Sequence, residues 1–165
     1  MKKLFSAVAL IFLIIPASFS QAALVQRSIL DGKVELLLPV NFQQDKDGTP
    51  GLFSGKNGPA SLQYQLQPET LEDNDIPAFT DDQLKLAKQD DETFSYIDDG
   101  IHLQDGKNIG YLKFSSMENG KKYFNYTFFI SVQDKPLIFR FSCLLRDQKK
   151  WEADADKIAN SIRVK

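Results

Sequence analysis

Residues 107–143 read KNIGYLKFSSMENGKKYFNYTFFISVQDKPLIFRFSC, and this stretch decides the fold. Across residues 122–132, Phe124, Tyr126, Phe128, Ile130 and Val132 fall on one face of an extended strand, with Tyr123, Asn125, Thr127, Phe129 and Ser131 on the other. Leu137, Phe139, Phe141 and Cys143 repeat the pattern, and a four-residue connection over 133–136 pairs Ile130 with Phe139 and Phe128 with Phe141. On the other side, a two-residue Asn119-Gly120 loop would turn Leu112 and Phe114 away from that apolar face, because a one-residue slip flips every side chain. A three-residue loop, Glu118-Asn119-Gly120, with Gly120 at the left-handed position of a bulge, instead pairs Phe114 with Phe124 and Leu112 with Tyr126. The reading is an antiparallel meander with a bulged first turn.

Upstream of the meander, Asp105-Gly106 marks a turn, and residues 94–97 and 101–103 read as short strands separated by Asp98-Asp99-Gly100. Before them, Thr80 and Gln83 have the capping-box form and Phe79 with Leu84 the hydrophobic staple, which predicts a helix over 81–91 burying Leu84 and Ala87. Residues 68–78 hold two prolines and read as a crossing loop. Residues 60–67 alternate as a strand whose glutamine face meets water, and 41–59 read as a loop with one short strand near Leu52. The chain opens with a hairpin, 25–30 and 33–38 about Asp31-Gly32, with Val34, Leu36 and Leu38 on one face. Downstream, Asp147 caps a closing helix whose Trp151, Ala155, Ile158 and Ile162 form one stripe. That stripe covers the apolar sheet face, and the 81–91 helix covers the opposite face, where Tyr123, Phe129, Ile138 and Leu144 lie. The predicted fold class is α+β: an antiparallel sheet of about six to eight strands with a helix on each face, an α/β/α sandwich.

The N-terminus carries Lys2 and Lys3, an apolar run from Leu4 to Ile15, Pro16 and a small-residue site at Ser20-Gln21-Ala22. This is the pattern of a secretory signal peptide cleaved after Ala22, and the run is short of the roughly 20 residues a spanning helix needs. No cysteine follows it, so a lipid anchor has no acceptor, and residues 23–165 are expected to be one periplasmic or secreted domain without a stable membrane anchor. Cys143 is the sole cysteine and can form no internal disulfide.

Charge is uneven. Residues 69–99 hold 2 basic against 11 acidic side chains, whereas residues 100–165 hold 12 against 7. No basic stripe offers itself to phosphates, which argues against nucleic acid as a partner. Glu72, Asp73, Asp75, Asp81 and Asp82 are the candidate partner-binding surface, suited to a basic protein. Their spacing is too loose for an EF-hand, and in the 45–48 run Lys56 stands where the bidentate glutamate would fall, so no metal site and no cofactor are expected. His102 is the only histidine, and a Cys143–His102 dyad is the one nucleophilic pair to weigh. A thiol beside Phe141 on a core face is an inert small hydrophobe, so no catalytic residue and no enzyme are expected. The aromatics of the meander admit a pocket for a small apolar ligand, with core packing the commoner use of such periodicity.

The strand 34–42, VELLLPVNF, the mid-chain helix, the meander, and a closing helix with Trp151 and Ile158-Ala159-Asn160-Ser161-Ile162 together resemble the Mog1/PsbP-like fold, and within it the DcrB-like bacterial proteins. The resemblance spans most of the chain after residue 22. It implies a non-catalytic protein that binds other proteins, as an assembly factor or as an adaptor for a secreted toxin; small size, export without an anchor and the concentrated acidic segment narrow the expectation to an immunity protein that neutralises a secreted antibacterial toxin in the periplasm. DcrB-like envelope proteins carry a lipidated cysteine that this chain lacks.

Overall fold

A central strand that is apolar on both faces needs a cover on both sides, and the chain supplies two. The computed structural model describes residues 23–45, 48–56 and 60–165; the predicted signal peptide and its cleavage point lie outside them. Among these residues the order is β1 (Leu24–Ile29), β2 (Val34–Pro39), β3 (Phe42–Gln44), β4 (Leu52–Gly55), β5 (Ser61–Leu66), α1 (Ile76–Asp90), β6 (Ser95–Gln104), β7 (Lys107–Glu118), β8 (Lys121–Ser131), β9 (Pro136–Leu144), α2 (Gln148–Ala159) and β10 (Arg163–Val164). Short 3-10 turns, Asp73–Asp75 and Leu145–Asp147, lead into the two helices. Seven strands form an antiparallel sheet in the order β3-β4-β5-β9-β8-β7-β6, flanked by a helix on each face. The opening hairpin does not join it: β1 and β2 make a small separate sheet with β10.

The meander forms where the sequence places it, but both of its turns are tighter than expected. Glu118 pairs with Lys121, Ser115 with Phe124 and Phe114 with Asn125, so the first turn is the two-residue Asn119-Gly120 loop and not a bulge. Both turn residues have positive φ, 50° and 75°, the conformation that matches the twist of the flanking strands. Leu112 and Phe114 do leave the α2 face, and this costs nothing because the face they join is itself a core. The second turn is also a two-residue loop, Gln133-Asp134, closed by main-chain bonds between Val132 and Lys135 at 2.8 and 3.2 Å. The register there is two residues from the expected one, Phe128 facing Phe139 and Ile130 facing Leu137. A two-residue shift preserves the face, so the apolar sides still coincide.

Other boundaries move for local reasons. α1 begins at Ile76 because Pro77 sits in the first turn, where a missing N–H is harmless. Thr80 is therefore inside the helix and buried, its Oγ1 donating to the Ile76 carbonyl at 2.9 Å instead of capping. β6 is one ten-residue strand, and a bulge between Tyr96 and Asp98 takes up the irregularity that suggested two strands. The expected 41–59 loop contains β3 as well as β4. The β1–β2 connection spans Leu30 to Lys33, with positive φ at Leu30, Asp31 and Gly32. Asp147 occupies the N-cap of α2 without a side-chain capping bond.

Six phenylalanines are almost wholly buried: Phe42, Phe124, Phe128, Phe129, Phe139 and Phe141. Each contributes about 2–3 kcal/mol by burial. Five belong to the core beneath α2, with Ala155, Ile158, Ala159, Ile162 and the buried face of β2. Phe129 anchors a smaller core with Leu71, Ile76 and Leu112, which Phe79, Leu84, Ala87, Phe94, Phe114 and Ile138 extend under α1. Gly110 of β7 lies directly below that helix: a Cβ there would collide with Thr80 Oγ1 and stand 3.1 Å from Ile76 Cγ2.

Candidate functional site

The acidic segment is built onto the sheet edge by a few anchors. Leu71 is buried; its N–H donates to the Asp134 carbonyl at 2.9 Å and its carbonyl accepts the Ser131 hydroxyl at 2.6 Å. Two residues on, the Asp73 carboxylate accepts the Asn108 backbone N–H at 3.1 and 3.2 Å and its Nδ2 at 3.1 Å. Asp73 thus ties the segment to the first residues of β7. Glu72, Asp75, Asp81 and Asp82 are exposed, the first two on the turn that Asp73 fixes and the last two on α1. Asp82 pairs with Lys85 at 2.9 Å, an exposed pair of little energetic weight. Four of the five sequence-predicted acids are therefore surface charges on one rigid support, and Asp73 has a structural bond to make.

Asn108 is the cross-strand neighbour of Leu103, and Gly110 that of Ile101. The Asn108 N–H that Asp73 accepts points away from Leu103, so the acidic turn lies on the β8 side of β7, one strand in from the edge strand β6, where Tyr96, Ile97, Ile101 and Leu103 are exposed. Tyr96 Oη donates to Asp99 at 2.7 Å, and Lys88 of α1 stands 5.6 Å from the Tyr96 ring.

On the opposite face, sequence reading missed a polar cluster. Lys113 is buried on the α2 side, its Nζ 2.9 Å from Asp156 and 3.6 Å from Glu152, and 4.7 Å from the Tyr126 ring centroid. Tyr111 Oη donates to Asp98 at 3.2 Å. Burial alone would lower the Lys113 pKa, but the hydrogen bond and charge of Asp156, with Glu152, raise it above the ordinary lysine value. A nucleophilic lysine needs the reverse shift; this ammonium joins sheet to helix. Burial, together with the Asp156 charge, raises the Tyr126 pKa strongly. The signal that could have found the cluster is the spacing of Glu152 and Asp156 on one helix face, read with the two-residue turn that puts Lys113 opposite Tyr126.

The Cys143–His102 pair is not assembled. His102 lies on β6 and Cys143 on β9, with two strands between them, a separation of at least about 14 Å. Cys143 is wholly buried opposite Phe124, and burial pushes its thiol up to about 12. Burial lowers the His102 pKa, the Asp156 charge partly opposing it. Among the described residues no group of three or more His, Cys, Asp or Glu can hold a metal, and no helix is long and apolar enough to cross a membrane. The aromatics pack on one another: Phe128 stacks on Phe139 at 5.0 Å, and Trp151 meets Phe42 and Phe141 at 5.8 and 6.0 Å. A cleft of about 840 Å³ between β1 and the β3–β4 edge is bordered mainly by Gln26, Arg27, Gln43, Gln44 and Asp45, a polar lining.

No family model matches the sequence, and no curated protein matches it. Solved structures do match its fold. Cyanobacterial PsbP (CyanoP) from Synechocystis sp. PCC 6803 superposes with a TM-score of 0.59 at 17% identity, covering 87% of this chain and 94% of that one. The Ran-binding protein Mog1p of Saccharomyces cerevisiae gives 0.55 at 8% identity, over 87% and 96%. LpqN of Mycobacterium tuberculosis, involved in cell envelope biogenesis, gives 0.58 at 14%, over 86% and 90%. This chain has the Mog1/PsbP-like fold.

Identities this low carry the fold and no residue roles. What this chain offers for recognition is its own surface: an acidic turn and helix start held on the α1 side of the sheet, and an edge strand β6 with exposed aliphatic side chains.

Proposed function

We propose that this is an exported, non-catalytic protein-binding domain of the bacterial envelope, comprising residues 23–165, whose acidic surface meets a basic partner. One observation carries the reading: Glu72, Asp75, Asp81 and Asp82 are exposed on a support anchored by Leu71 and Asp73, so their field is fixed in direction. A fixed field accelerates encounter with an opposite charge and weakens with salt, over a screening length of about 8 Å at physiological ionic strength. The leader-like residues 1–22 support export to the periplasm. A neighbour of the same fold named as a Ran-binding protein supports a binding role in kind, and one named as involved in cell envelope biogenesis supports a place in the envelope. The narrower form is an immunity protein that neutralises a secreted antibacterial toxin in the periplasm, favoured by the concentration of acids on one surface.

The test is association kinetics with a partner captured from envelope extract, against salt, for the native protein and for Glu72→Gln, Asp75→Asn, Asp81→Asn and Asp82→Asn combined. Asp73 stays, since its removal would loosen the fold. Association slowed roughly tenfold with a flatter salt dependence is expected. An unchanged rate and slope would make the acids a solubilising surface only. For the narrower form, co-expression with a toxin encoded by the neighbouring gene must protect the cells.

A further inference from the structure

Among the described residues the last strand of the seven-stranded sheet, β6, has no strand on its outer side. Ten residues is long for an edge, since unpaired main-chain groups invite foreign strands and exposed edges are usually kept short or charged. Half of β6 carries such protection: the bulge at Tyr96/Asp98 and the acids Asp98 and Asp99. The other half does not, for Ile101 is 38% exposed and Leu103 71%. Gln104 pairs with Lys107 across the two-residue Asp105-Gly106 turn. In an antiparallel ladder alternate residues direct their main-chain groups to one neighbour, so Gln104, His102 and Gly100 direct theirs to β7, while Leu103, Ile101 and Asp99 direct theirs outward. The residues offering free main-chain bonds are thus the ones with exposed aliphatic side chains on the α1 side, while the exposed carboxylate of Asp98 lies on the α2 side.

We propose that the free edge of β6 over residues 99–103 receives an extended segment of the partner as an added strand, aliphatic at alternate positions with lysine or arginine between. This rests on the protein-binding reading above and names its site and partner chemistry. Main-chain bonds supply affinity, Ile101 and Leu103 the apolar contact on the α1 side, and the exposed carboxylate of Asp98 the selection for the basic side chains, which alternation turns to the α2 side. A second copy of this chain is the poorer occupant, because it would bring another Asp98 and Asp99 against the first.

The probe is a nine-residue peptide of alternating Lys and Val, with a Glu-Val peptide as control, added to isotope-labelled protein purified from the periplasm of an expressing bacterium. The Lys-Val peptide should slow hydrogen exchange at the Asp99, Ile101 and Leu103 amides at least tenfold, while the Glu-Val peptide should not. Leu103→Lys should weaken the effect at least fivefold with the fold intact by circular dichroism. Protection at a different strand, or none at millimolar peptide, would overturn the assignment; protection that grows with protein concentration without peptide would give the edge to a second copy. Salt-dependent partner association without protection of β6 would remove the edge and leave the acidic-surface reading standing. Protection of β6 with salt-independent partner association would do the reverse.

Discussion

Gly110 shows how one residue sets the position of a whole helix. Its missing side chain lets the first turns of α1 rest on β7, with Thr80 and Ile76 filling the space a Cβ would need. Gly110→Ala should therefore destabilise the fold by about 1–3 kcal/mol through overpacking, read from the denaturant midpoint; a loss below about 0.5 kcal/mol would mean that α1 can lift away at little cost. His102 acts through protonation. Its pKa is lowered by burial below the ordinary 6.5, so the folded state holds fewer protons than the unfolded chain at mildly acidic pH. Its contribution to stability is full above pH 6.5 and is lost as pH falls through the lower folded value. His102→Gln should flatten stability against pH in that interval. An unchanged slope in the variant would place the acid sensitivity elsewhere.

The β7–β8 turn decides which face each residue of β7 serves. Asn119 has a φ of 50° in the two-residue loop, whereas the bulged three-residue loop would hold it in ordinary right-handed backbone. Asn119→Val should cost about 1–2 kcal/mol by thermal or urea unfolding, since a β-branched residue tolerates the left-handed region poorly. A neutral substitution would favour the bulge. The same turn shows how far the elements were legible. The alternation of Phe124 to Val132 named β8 and its apolar face correctly, and the stripe from Trp151 to Ile158 named α2. The expected bulge assigns Leu112 and Phe114 to the first face alone; the two-residue turn sends them to the second, which Phe129 and Ile138 mark as a core in its own right. α1 starts five residues before the expected Asp81 because Pro77 stands in its first turn, where a proline does not stop a helix. The bulge in β6 and the small β1-β2-β10 sheet depend on long-range pairing that local periodicity does not contain. The candidate site was legible as composition, in the acids of residues 69–99; what composition could not supply was Asp73 bonded to Asn108, or the exposed edge strand.

At the scale of the molecule, the two faces of the sheet carry cores of different size. The α2 face holds five of the six near-completely buried phenylalanines and the Lys113–Asp156–Glu152 tie between sheet and helix, and its Cys143 is inert. The α1 side has the smaller core, and at its margin stand the acids and the exposed aliphatics of β6. On the proposed function, stability and recognition are separated across the sheet, and surface charge on the α1 side can change without disturbing the main core. Zero-length carboxyl-to-amine crosslinking of the native protein in envelope extract, with the joined peptides mapped by mass spectrometry, tests this division most directly. Adducts should join carboxylates of residues 69–99 to lysines of one basic partner and disappear at high salt. Adducts that instead join Lys121 or Lys122, at the far hairpin tip, to carboxylates of a partner would contradict an acidic recognition surface on the α1 side.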